Sequence, residues 1–371
     1  MSTSSSRALA AAAEREWRIA LRFLGKLLVM AILLMLLESI LYFAYGALGL
    51  AEKTRWVDYR LSGVEYGQYI TAAQDTWPSS EPVALVPDFA SDGRDIVYFG
   101  DSTAIDVGDA DNDRRNLPAM LMELLPGWRV HPICGRAYQS EVFEPYCGYL
   151  LGRDHLPGAV ILPINLRAFS PTWDRKPQWQ FEKAKYLLRH ESVASRVLLP
   201  ALATFRAVNL SPILPADYAK APLLAGDQLL GTVADLDGVD RNRDPESFFR
   251  LHFAAHYLYP LTADHRKVAA LVRTARLLRE AGARAFFYIT PIDCETGEHY
   301  LGPDFSEGVR QNVDVIQAAL AEEGAEALDL SCSLPAERFV VYRQQLHEHL
   351  DEVGRGAVAA QVAARVRKGI H

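Results

Sequence analysis

The stretch that decides the fold is Asp95-Ile96-Val97-Tyr98-Phe99-Gly100-Asp101-Ser102. Four consecutive apolar residues between Asp95 and Gly100 predict a strand covered on both faces, as parallel sheets require. The run breaks off at Gly-Asp-Ser, where the chain must turn toward a helix. A residue just past the carboxyl end of a parallel strand stands where open α/β sheets place their ligands. Ser102 is therefore a candidate nucleophile, in need of a base and of oxyanion donors.

Strand-length apolar runs recur at 128–134 (WRVHPIC), 159–165 (AVILPIN), 284–291 (RAFFYITP) and 325–330 (AEALDL). Between them lie helical patterns at 115–125, about 139–152, about 262–282 and about 306–323. In the last, Val309, Val313, Ile316 and Leu320 form one stripe at helical spacing. A closing helix is expected over about 352–367, with Val358, Val362 and Val366 on one face. Alternating strands and helices predict an α/β domain built on a doubly wound parallel sheet.

The interval 166–261 breaks that rhythm. It is too long for a simple loop and reads as an inserted cap; helical padding over the sheet is the alternative. Trp173 and Trp179 lie in it, suited either to stack on sugar rings or to pack the cap.

From Leu27 to Leu50 the chain reads LLVMAILLMLLESILYFAYGALGL, about the length a helix needs to span a bilayer. Arg15, Arg18, Arg22 and Lys26 precede it, which places that end in the cytoplasm by the positive-inside rule. A cleaved signal peptide, with Gly49 and Ala51 as its small-x-small site, is the rival reading. The length of the apolar run favours an uncleaved anchor. The organisation expected is a cytoplasmic tail (1–26), a transmembrane anchor (27–50) in contact with lipid, a stalk (51–94) and a domain (95–371) in the periplasm or outside the cell. Glu38 interrupts the apolar run; it is either a protonated or snorkelling side chain or a contact with a membrane partner.

Half the residues are apolar and the net charge is -7. That composition excludes a disordered chain and gives no basic footprint for nucleic acid. Cys134, Cys147, Cys294 and Cys332 show no zinc spacing, and no metal or cofactor is expected. Cys294 and Cys332 each follow an expected strand and could be neighbours at one sheet edge, Cys134 and Cys147 are close in sequence, and free buried thiols are the alternative; an oxidising compartment would permit disulfides whose connectivity the sequence leaves open.

Three strand ends carry special residues in order: Gly100-Asp101-Ser102, then Gly135, then Asn165. Parallel strands end on one side, so these residues should share an edge. Ester cleavage through serine needs a nucleophile, a base and donors aimed at the developing oxyanion. The Ser102 and Gly135 N–H groups and the Asn165 amide would supply the donors. The base is sought before the last helix, in Leu346-His347-Glu348-His349-Leu350-Asp351, with His349 preferred over His347. Arg136 and Arg167 lie beside the site, suited to an anionic substrate, and Asp101 is a further candidate for substrate contact.

The order Gly-Asp-Ser, Gly, Asn and a late His resembles the SGNH (GDSL-like) hydrolase superfamily over about 95–368. The resemblance implies a three-layer α/β/α fold with a flavodoxin-like sheet, with Ser102 as nucleophile, Gly135 and Asn165 as oxyanion donors and His349 as base. It implies a serine esterase or O-acyltransferase, and anchored members resemble factors that acetylate cell-envelope or exported polysaccharides beside a multi-span acyl carrier. The chain departs from the pattern where an Asp three residues before the His is replaced by Leu346. The orienting acid is therefore open among Glu348, Asp351 and Asp293, with Asp329 also at a strand end, and a Ser-His dyad helped by a backbone carbonyl is the alternative. A non-catalytic carbohydrate-binding or assembly protein on the same fold is the alternative.

Overall fold

The computed structural model describes residues 20–37, 88–108, 111–174, 181–189, 220–225, 228–340 and 348–370, the backbone of 56–61 and 64–72, and isolated positions 17, 40 and 86. Its centre is the strand β3 (Asp95–Gly100), buried at every position. Successive side chains of a strand point to opposite faces, so β3 feeds two cores. Val97 and Phe99 enter one with Phe143, Tyr146, Val309 and Ile316. Ile96 and Tyr98 enter the other with Leu121, Val358, Val362 and Val366.

Those partners belong to helices that cover the sheet on both sides. On one face lie α3 (Ser140–Leu151), α7 (Arg266–Glu280) and α9 (Asp304–Ala321), with α3 packed on α7 and α7 on α9. On the other, α2 (Leu117–Leu124) packs on the closing helix α10 (Glu352–Ile370). The valine and isoleucine stripes of α9 and α10 are buried as their spacing predicts.

The remaining parallel strands are β4 (Arg129–Gly135), β5 (Ala159–Ile164), β8 (Arg284–Ile289) and β9 (Ala327–Asp329). The spatial order β4-β3-β5-β8-β9 is the 2-1-3-4-5 winding of flavodoxin-like sheets, whose switch point lies between the first and third strands. Here that point falls between β3 and β5, the strands that end in Ser102 and Asn165. The interval expected as a stalk contributes β1 (Trp56–Leu61) and β2 (Val64–Ala72) to the sheet. β2 runs parallel to β4, and β1 closes the edge antiparallel to it.

The insertion after β5 is described in part. It holds the short helix α4 (Pro171–Asp174), α5 (Glu182–Arg189), the hairpin β6 (Pro222–Ala225) and β7 (Gln228–Thr232), and α6 (Pro245–Tyr257). α5 packs on α3, and α6 on the turn that follows β5. Trp173 is buried in the core, whereas Trp179 lies outside the described residues.

Near the N-terminus, Ala20–Leu37 forms a helix long and apolar enough to cross a membrane or to act as a signal sequence, with none of it buried. Glu38, Gly49 and Ala51 lie outside the described residues. Cys294, at the start of α8 (Cys294–Leu301), is joined in a disulfide to Cys332, past β9. Cys134 and Cys147 are free and buried.

Candidate active site

The turn out of β3 is shaped by contact distances. A Cβ on Gly100 would stand 2.8 Å from Cys134 Sγ and 2.9 Å from Ala104 Cβ, so only glycine lets the chain turn here. Asp101 then caps the one-turn helix α1 (Ser102–Ile105): its Oδ1 accepts from Thr103 N at 2.9 Å and from Thr103 Oγ1 at 2.6 Å. Ser102 is the first residue of that helix and partly exposed. An N–H at such a position has no acceptor within its own helix and is open to a substrate oxygen. At the other end of α1, Asp106 N donates to Ser102 O at 2.9 Å.

The adjoining strand ends bring up the other donors. Gly135 ends β4, with the Tyr138 ring 2.8 Å from where a Cβ would stand. Asn165 follows β5. Its Nδ2 donates to Asp101 Oδ2 at 2.9 Å, and its Oδ1 accepts from Arg167 N at 3.0 Å. Two bonds therefore fix the amide, and one N–H of Nδ2 remains for a substrate oxygen. Asp101 is buried, with its carboxylate shared between Thr103 and Asn165. The geometry makes it the tie between two loops rather than a substrate contact.

His349 comes to the same edge from the far end of the chain. It lies in the two-residue strand β11 (His349–Leu350), paired with β10 (Phe339–Val340), and its backbone register is Val340↔His349. α1 packs against β11. His349 Nε2 stands 3.7 Å from Asp106 Oδ2. No hydrogen bond joins the imidazole to Ser102 among the described residues; contacts of this kind tighten when substrate binds.

One buried and one half-buried arginine hold the residues on either side of His349. Glu348 forms an ion pair with Arg167, side chains 5% and 12% exposed, so the residue before His349 is stapled to the loop of Asn165. The Arg167 guanidinium lies over the Trp173 ring, 5.2 Å from its centroid. Arg355, wholly buried, donates to Leu350 O at 2.8 Å, to Asp111 Oδ2 at 2.6 Å, to Asp113 O at 2.8 Å and to Arg115 O at 3.0 Å. It thereby clamps the residue after His349 to the loop that follows Ser102. A buried guanidinium is tolerated because nearby oxygens accept its donors.

The three acids expected to orient the base are engaged elsewhere. Glu348 faces Arg167. Asp351 accepts from Gly354 N at 2.7 Å and from Arg338 Nη1 at 3.0 Å, at the start of α10. Asp293 is buried and caps α8 through Thr296 N at 3.0 Å, and Asp329 accepts from Ser331 N at 2.9 Å. His347 and Leu346 lie outside the described residues. Arg167 is sealed in its ion pair, whereas Arg136 is exposed at the rim and reaches Asp106 Oδ1 at 3.3 Å. Sequence reasoning passed over Asp106 and Arg355. The only local signal for Asp106 was its position four residues after Ser102, which puts both on one face of a helix.

Burial pushes the Cys134 thiol far up, with the Asp101 charge adding to it, and burial does the same to Cys147. Burial likewise raises Tyr257, next to Glu348, Arg167, Asp293 and Asp101. Among the described residues no group of three or more His, Cys, Asp or Glu side chains could hold a metal ion.

No family model matches the chain, and no curated protein matches it. Among solved structures, it is similar to an aryl esterase of M. smegmatis in its inhibitor-bound form, at 10% identity and a TM-score of 0.32 over 74% of this chain and 99% of that one. The native form of an M. smegmatis aryl esterase gives 12% identity and a TM-score of 0.30 over the same shares. A salicylyl-acyltransferase from a tetracycline biosynthetic pathway gives 14% and 0.28, over 76% of this chain and 56% of that one. Likenesses of this size say nothing about chemistry, which rests on the residues of the site.

Proposed function

We propose that the chain is a serine-dependent acyl-ester hydrolase or O-acyltransferase, held in a membrane by its N-terminal helix and acting on a cell-envelope or exported polysaccharide, beside a multi-span acyl-carrier partner. The observation that carries this reading is the meeting of three separate strand ends and a late histidine at one switch point: Asp101 bonds Asn165, α1 packs on β4 and β11, and His349 reaches the α1 cap.

In the proposed reaction Ser102 Oγ attacks the acyl carbonyl while its proton passes to His349. The oxyanion is met by the N–H groups of Ser102 and Gly135 and by Asn165. The tetrahedral centre collapses, the bond to the leaving alcohol breaks, and the imidazolium returns its proton to that alcohol. Water or a sugar hydroxyl then attacks the acyl-enzyme while His349 takes its proton; the acyl–Oγ bond breaks, the imidazolium returns the proton to Ser102 Oγ, and a carboxylic acid or a new ester leaves. The acetyl group and the polysaccharide follow from the outward domain that the N-terminal helix implies and from the superfamily resemblance. The Cys294–Cys332 disulfide suits such a compartment.

The test uses the full chain in detergent with a serine-reactive fluorophosphonate and a chromogenic acetyl ester. Wild type should be labelled at Ser102 and turn the ester over; Ser102→Ala should do neither, and His349→Ala should lose at least about a hundredfold in rate. Adding an oligosaccharide and finding acylated sugar would mark a transferase. Equal behaviour of wild type and Ser102→Ala would leave a binding or assembly protein.

A further inference from the structure

The place where a carboxylate was expected, three residues before His349, holds Leu346. We infer that Asp106, on the helix that carries the nucleophile, is the positioning residue that serves His349 in its stead. The inference rests on the serine mechanism proposed above.

The geometry points to it in three ways. First, among the described residues Asp106 supplies the carboxylate that lies within 4.0 Å of the His349 ring nitrogens, at 3.7 Å. The other candidates bond elsewhere and do not reach the ring: Glu348 pairs through Oε1 with Arg167, Asp351 accepts from Gly354 N and Arg338, and Asp293 accepts from Thr296 N. Second, Asp106 is fixed relative to the nucleophile. It ends the one-turn helix that Ser102 begins, and its N–H is bonded to Ser102 O. Ser102 and Asp106 thus stand at the two ends of one helical turn, with the His349 ring beside the second. Third, Asp106 is oriented and mostly shielded. Arg136 holds Oδ1 at 3.3 Å, which leaves Oδ2 toward the ring, and the side chain is 15% exposed.

The chemistry needs such a group. As Ser102 loses its proton to His349, the ring becomes a cation, and a fixed anion beside it stabilises that state without having to reorient. Asp106 keeps its own proton balance throughout: it accepts none and gives none. The arrangement differs from a triad in which the acid comes with the histidine on one loop. Here the acid comes with the serine, and the histidine is brought to both of them by Arg355 and by the Glu348–Arg167 pair.

The experiment compares Asp106→Asn, Asp106→Glu, Ser102→Ala and wild type, as full chains in detergent, by the rate of fluorophosphonate labelling at Ser102, by kcat and KM on the chromogenic acetyl ester, and by melting temperature. The expected result for Asp106→Asn is labelling and kcat slowed by about tenfold or more, with KM and melting temperature near wild type. Asp106→Glu should recover much of the rate, because the charge matters more than the shape. Labelling of Asp106→Asn at the wild-type rate, with Ser102→Ala unlabelled, overturns the role of Asp106 and leaves the serine mechanism standing. A parallel fall in rate and melting temperature that Asp106→Glu does not rescue makes Asp106 a structural cap, and overturns the inference too. If wild type is not labelled, the serine mechanism fails and takes this inference with it.

Discussion

Breaking the Glu348–Arg167 pair should be costly, and restoring neutrality on both sides should recover the loss. The side chains are 5% and 12% exposed and come from residues 181 positions apart. An ion pair of this kind draws little net stability from its own attraction, because both charges have left water. Removing one partner strands the other, at about 3–5 kcal/mol. Glu348→Gln leaves Arg167 over Trp173 with its charge uncompensated. Because the guanidinium keeps some solvent, the lower figure applies, about 3 kcal/mol. For a domain of this size each kcal/mol moves the melting temperature by about 2 °C or somewhat more, so a drop of about 6 °C or more is expected. Arg167→Met should cost as much or more, since it also gives up the contact with Trp173, about 0.5–2 kcal/mol. The double variant Glu348→Gln/Arg167→Met buries no charge and should return most of the stability. Calorimetry of all four proteins in one detergent gives the cycle, whose coupling energy should exceed about 1.5 kcal/mol. A single-variant loss below about 1 kcal/mol, with simple additivity in the double, is the behaviour of a surface pair and would refute the reasoning.

Two further outcomes follow from groups outside the site. Burial pushes the Asp95 carboxyl up, but hydrogen bonds from Arg129, His131 and Ala90 N outweigh it and hold it at about 2, below its ordinary 3.8. Its stabilisation, about 2 kcal/mol, is complete above the ordinary value and is lost as pH falls toward 2. The stability gap between wild type and Asp95→Asn, measured by denaturant unfolding, should narrow between about pH 4 and pH 2; a gap that does not change with pH contradicts this. The disulfide spans 38 residues, for which loop closure predicts a loss of about 4 kcal/mol in Cys294→Ser/Cys332→Ser. Wild type, denatured without reduction, should titrate as two thiols, Cys134 and Cys147, and a count of four would remove the bond.

Much of the scaffold was legible locally. The strand 95–100 was bounded to the residue, and the stripes at Val309–Leu320 and Val358–Val366 named the buried faces of α9 and α10. Burial on a sheet or helix imposes a period that a short window contains. The edge hairpin β1–β2 was missed because a stretch of mixed character, next to the Pro and Ser cluster at 78–88, reads as a connector until the sheet edge claims it. Small shifts at strand ends, such as β4 running on to Gly135, reflect pairing partners rather than side-chain pattern.

By itself the sequence determined the α/β class, the apolar N-terminal helix, and the order in which Ser102, Gly135, Asn165 and His349 are presented. It could do so because strand ends and helix starts have local signatures, and because parallel strands must end on one side. Tertiary structure alone decided how the charges are shared. Glu348 is adjacent to His349 in sequence yet faces Arg167; Asp351 caps a helix; Asp106, 243 residues away from His349, stands 3.7 Å from its ring. A carboxylate looks the same in any sequence window. Its partner is fixed only when loops from distant strands converge, and those approaches depend on packing that no short-range period records. Ser102 could thus be singled out as a candidate from its own neighbours, while the carboxylate beside His349 emerges only in the folded chain.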